Sequence, residues 1–164
     1  MHKISISDVR VLPGDAGFLI DDGKTSILYD CGFAFTGEKL AQNVKNLLGN
    51  RNLDFIFLTH SHYDHALGSV YVKEIFPKAK VVAGSYAAGI FKKESAKKVM
   101  RDLDKKFALK NNIVEYEDLI DSLSVDITVN DGDVLQCGKM SFTVIALPGH
   151  TKCSVGFYLS ENKL

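Results

Sequence analysis

The chain has 164 residues, 46% of them apolar and 24% charged, with twenty acidic and twenty basic side chains that cancel. This length suits one packed domain over 1–164, and the composition excludes a disordered or fibrous chain. Balanced charge gives no global field to recruit nucleic acid or an anionic membrane surface, and no apolar run approaches membrane length.

In chain order, residues 4–12, 16–20 and 25–29 read as three strands. Pro13-Gly14-Asp15 turns the chain, and Asp21-Asp22-Gly23-Lys24 makes a hairpin signal. A helix is predicted over 37–48, with Leu40, Val44, Leu47 and Leu48 inward and Gly49 as its stop. The apolar run 55–58 reads as a buried strand, and a second helix is predicted over 66–76, closed by Pro77. A short strand at 81–83 and a brief helix at 85–91 lead to a charged helix over 92–110. Its inward stripe is Ala96, Val99, Met100, Leu103 and Phe107. Its lysines, Lys97 among them, read mostly as a solvated face with Glu94/Lys98 and Asp102/Lys106 pairs, rather than as a patch for an anionic substrate or RNA. Strands follow at 124–129, 134–137, 140–147 and 155–159.

Cys31, Cys137 and Cys153 are odd in number and lack C-x-x-C spacing, so they read as small buried hydrophobes in a reducing compartment. Cys153 stands out because it lies three residues after His150. The start, Met1-His2-Lys3-Ile4-Ser5, does not lead into a signal-peptide core, and a cytoplasmic protein is expected.

The chemistry concentrates at residues 59–65, Thr-His-Ser-His-Tyr-Asp-His, which hold three of the five histidines. A polar loop whose histidines satisfy backbone groups is a poor account of such clustering at a strand's C-terminal end. Imidazole and carboxylate suit zinc, iron or manganese. His60 and His62, two apart on an extended segment, point the same way and can chelate one ion, while Asp64 and His65 can reach a neighbouring one. His150, in Leu147-Pro148-Gly149-His150-Thr151, is the natural third nitrogen for the first ion. Three imidazoles plus a water form a catalytic zinc site with an open position.

On these motifs the chain resembles the metallo-β-lactamase superfamily, from about residue 8 onward. The His-x-His-x-Asp-His run matches its main signature, residues 147–151 its third motif, and Asp30 the acidic residue of its first. The resemblance implies an αββα sandwich of mixed α/β class with the metal site at one end of the packed sheets. It also implies a binuclear centre in which His60, His62 and His150 hold one ion and Asp64 and His65 help hold the other. Asp30 would orient the histidine loop from behind.

The implied activity is hydrolysis of an ester, thioester, lactone or phosphodiester-type small molecule by a metal-activated hydroxide, with Asp64 helping to position the attacking oxygen. His62 favours hydrolysis over the diiron, flavin-partnered relatives, which usually carry an acid there. The sequence departs from the family in one respect: neither an aspartate nor a further histidine follows His150. Glu161 lies in the turn before the expected strand and is not taken as the bridging carboxylate. The second αβ half is therefore expected to be incomplete, these residues being part of a longer domain. The alternatives are a second chain or swapped copy covering strand 155–159, or a short metal-binding module without turnover.

Overall fold

A computed structural model describes residues 4–159. Fifteen elements alternate along it. The first three strands, β1 (Ser5–Asp8), β2 (Phe18–Asp21) and β3 (Ser26–Tyr29), form an antiparallel meander. Next come α1 (Gly37–Leu48), β4 (Phe55–Leu58), the short α2 (Tyr63–Ala66), α3 (Gly68–Ile75) and β5 (Lys80–Gly84). The helices α4 (Ser85–Phe91) and α5 (Glu94–Lys110) precede a 3₁₀ turn at Ile120–Ser122 and β6 (Ile127–Val129). Then β7 (Val134–Cys137), β8 (Met140–Ala146) and β9 (Val155–Leu159) form a separate antiparallel sheet. The large sheet runs β1-β2-β3-β4-β5-β6, with β3 to β6 parallel, as βαβ crossovers require.

Strand periodicity divides the apolar residues between two cores. On the central strands Leu28, Ile56, Leu58 and Val81 face the helices, where they meet Leu40, Val44, Val72 and Phe91. Their neighbours Ile27, Phe57 and Val82 face the other way and pack on Phe142, Val144, Phe157 and Leu159 of the small sheet. Phe57 stacks on Phe157 at 4.3 Å and meets Phe142 edge-on at 5.2 Å. A strand buried on both faces must be apolar throughout, which is why residues 55–58 carry no polar side chain. The order of layers is helix, sheet, sheet. The outer face of the small sheet carries Ile145 and Tyr158 exposed, and no helix covers it among the described residues.

Several local expectations need correction. The first strand stops at Asp8, because the buried Asp15 carboxylate draws the chain into a turn by accepting the N–H groups of Val11 and Ala16. The expected helix over 66–76 begins three residues earlier, inside the histidine run, and is broken at Leu67. Leu47 faces solvent, its place in the α1 stripe being taken by Ala41. On α5 the buried positions are Lys97, Met100, Asp104 and Ala108, while Val99 and Leu103 are exposed. Lys97 is thus buried, bonded to the Asp121 carbonyl and paired with Glu94, and Lys98 pairs with Asp102. Two of the expected inward residues point out because a buried carboxylate, Asp104, turns the helix toward its own partners. The last expected strand pair, by contrast, lies where periodicity put it. Glu161 lies outside the described residues.

Candidate metal centre

The histidines gather where β4 and β8 end. His60 follows β4 after the single residue Thr59; the chain then turns, so that His62 precedes the first turn of α2 and Asp64 and His65 lie within it. Tyr63, between them, points away from the histidines and packs on Phe33 and Phe107 at 5.8 Å each, which pins α2 to α5. His150 arrives from the loop after β8. His60, His62 and His150 each offer a ligand atom, and these atoms all lie within 4.8 Å of one another. His150 Nε2 is 3.1 Å from His62 Nδ1. Nitrogens bound tetrahedrally to one zinc at about 2.0–2.1 Å stand roughly 3.3 Å apart, so this pair is already near ligating separation.

His60 is buried, and its Nε2 has no hydrogen-bond partner among the described residues. A bare buried nitrogen costs roughly 1–3 kcal/mol unless something meets it. A divalent ion within the triad would do so, and the residues present therefore fit one. Burial, reinforced by the neighbouring His65, lowers the His60 pKa to about 4, so its imidazole is neutral at pH 7 as a ligand must be. Burial and the facing His150 lower that of His62 as well.

The proton positions follow from Asp30. Its carboxylate accepts the Thr59 N–H at 2.9 Å, the Thr59 hydroxyl at 2.8 Å and His65 Nδ1 at 2.8 Å. Thr59 Oγ1 also lies 2.9 Å from His60 Nδ1. A hydroxyl has one proton, and here the carboxylate takes it, so His60 Nδ1 must be the donor and Nε2 is left bare. His65 likewise donates from Nδ1 and keeps Nε2 free, 4.0 Å from Asp64. Burial depresses the His65 pKa, but the hydrogen bond to Asp30 and the charges of Asp30 and Asp64 outweigh it and raise the value.

The sequence-predicted residues thus meet in one place. His60, His62 and His150 form the triad, His65 adjoins it with its ring 4.2 Å from that of His60, and Asp30 stands behind. Asp64 lies beside His65 and outside the triad. Sequence reasoning missed Thr59, the relay between Asp30 and His60. The available signal was a hydroxyl residue immediately before the first histidine at a strand end.

The description of the metallo-β-lactamase superfamily matches residues 10–164. The chain belongs to that superfamily. Among curated relatives of this superfamily member, hydroxyacylglutathione hydrolase GloC of Haemophilus influenzae is 28% identical over 163 residues, covering 99% of the chain and 68% of the relative. Hydroxyacylglutathione hydrolase 1 of Vibrio vulnificus is 25% identical, covering 98% and 49%. The metallo-β-lactamase MIM-1 of Novosphingobium pentaromativorans shares the fold at TM-score 0.63 and 22% identity, covering 87% of this chain and 48% of its own. FEZ-1 of Legionella gormanii does so at 0.62 and 21%, covering 87% and 50%. The chain therefore spans about half the length of the superfamily structures it resembles. No helix among the described residues is long and apolar enough to cross a membrane.

Proposed function

We propose that this chain carries the metal centre of a hydrolase that opens a thioester, with His60, His62 and His150 holding one divalent ion, zinc first and iron or manganese as alternatives. Asp64 and His65 would face a second ion. The observation that carries this reading is the buried, partnerless Nε2 of His60 within a triad of ligand atoms spanning 4.8 Å. Hydroxyacylglutathione hydrolases among the curated relatives support the thioester, since a hydroxyacyl group on glutathione is bound through sulfur.

A divalent ion bound there supplies a water of lowered pKa and polarises the scissile carbonyl. The protein's part is to prepare the site. Asp30 and Thr59 hold His60 and His65 with bare Nε2 atoms, and the partly exposed Asp64 carboxylate would help position the attacking water. The three cysteines, free and buried, support a reducing cytoplasmic setting. A second reading, a metal-binding module without turnover, is favoured by one observation: among the described residues the triad is the one group found close enough to hold an ion.

The test is thioester hydrolysis by zinc-loaded protein with hydroxyacylglutathione as substrate. Turnover should fall at least about a hundredfold in His62→Ala. Retained zinc with no turnover in the wild type would reject the thioester reading and favour the binding module.

A further inference from the structure

Three polar contacts converge on one sulfur beside the triad. Cys153 Sγ lies 3.4 Å from the Ser61 amide nitrogen, 3.2 Å from Ser61 Oγ and 3.2 Å from Thr151 Oγ1. Ser61 stands between His60 and His62, and Thr151 directly follows His150. The thiol, 4% exposed, therefore touches both segments that bring histidines to the centre, one from the end of β4 and the other from the end of β8. Nearby, Val155 N–H donates to the Thr59 carbonyl at 2.9 Å, so the two segments meet at two levels. The upper level rests on Cys153.

We propose that Cys153 is a positioning residue that fixes the 60–62 segment against the 150–153 loop, so that His150 faces His62 and the bare His60 nitrogen at ligating distance. The proposal rests on the metal reading above. The Ser61 N–H donates to the sulfur, and the two hydroxyls share its remaining capacity as donor or acceptor. Sulfur is large enough to reach both segments at 3.2–3.4 Å. An alanine methyl would leave the Ser61 amide without that acceptor and a gap between the loops. The loops would then hold the three nitrogens less closely, and a metal ion would have to draw them together at its own expense. An outer partner of this kind typically carries a tenfold or larger share of metal affinity.

The experiment is zinc competition against a chromophoric chelator, with the full chain in metal-free form as starting material. Cys153→Ala should weaken zinc binding about tenfold. Cys153→Ser, which restores an acceptor and a donor, should recover most of the loss, a rescue that mere cavity filling does not explain. Ser61→Ala removes one hydroxyl partner and should weaken binding about threefold. It decides the matter should Cys153→Ala fail to fold. Cys153→Ala and Ser61→Ala both binding zinc like the wild type would overturn the proposal while leaving the metal reading standing. A wild type that binds no zinc would instead overturn the metal reading itself. A thiolate-to-cobalt charge-transfer band in the Co²⁺-loaded wild type would make Cys153 a ligand and also overturn the positioning role.

Discussion

Asp30 sits at φ 57°, a left-handed conformation that aspartate and asparagine adopt more readily than other side chains with a Cβ. From there its two oxygens serve Thr59 and His65 together. The backbone demand and the proton demand can be separated by substitution. Asp30→Asn keeps the conformation but offers an amide N–H₂ where a carboxylate oxygen stood, turning Thr59 or His65 toward the wrong proton arrangement. Zinc affinity should fall roughly 10–100-fold while the unfolding midpoint stays close to that of the wild type. Asp30→Ala should lose affinity and also about 1–3 kcal/mol of stability, from backbone strain and the unmet Thr59 donors. Competition titration and chemical denaturation on the same samples measure both. Equal affinity in Asp30→Asn would remove the proton-setting role.

The elements around the centre are fixed by two close approaches outside it. At the start of α3 a Cβ on Gly68 would lie 1.8 Å from the Cys31 carbonyl oxygen, where Gly68 N–H donates to the Gly32 carbonyl and Cys31 N–H to that of His65. Backbone meets backbone there, and no side chain can yield. Gly68→Ala should therefore cost about 3 kcal/mol or more, read as a fall in denaturation midpoint. On α5 the fully buried Asp104 accepts the Ala34 N–H at 2.8 Å and the Tyr116 hydroxyl at 2.5 Å, tying the helix to the loop after β3. Burial raises its pKa in spite of these bonds. A carboxyl raised in the fold binds its proton more tightly there than in the unfolded chain. Its contribution is then fullest below pH 3.8 and is lost as pH rises through the folded value. The stability of the wild type relative to Asp104→Asn should accordingly improve as the pH is lowered from 7 toward 4, measured by denaturant titration at each pH. A difference that moves the other way would show the carboxylate, not the acid, to be the favoured form. This carboxylate is also where sequence periodicity failed. A rule that sends apolar residues inward cannot foresee that Asp104 and Lys97 take buried places and leave Val99 and Leu103 outside.

In the whole molecule, the pattern was legible wherever burial alone decides it. The run 55–58 is apolar because both of its faces are covered, whereas β9 alternates, with Val155, Phe157 and Leu159 inward, because only one of its faces is covered. The histidines were legible as a group because His-x-His-x-Asp-His is chemically unusual and His150 repeats its setting at a second strand end. Thr59 and the contacts of Cys153 were not, because hydroxyl and thiol side chains are common in both cores and loops and only the fold brings 61 to 153. The two sheets matter to function mainly because their packing carries residues 88 apart to within 3.1 Å. A ligand bound only by the folded chain must stabilise it: zinc at a hundredfold excess over its dissociation constant adds about 2.7 kcal/mol, or roughly 5–10 °C in the unfolding midpoint. The most direct measurement of the central claim is zinc titration of metal-free wild type beside His150→Ala, followed by competition and by thermal unfolding. The wild type should bind at least one zinc and gain that stability, with affinity falling about a hundredfold or more in His150→Ala. A wild type that neither binds nor is stabilised, or a variant that binds equally well, would contradict the assignment of the triad.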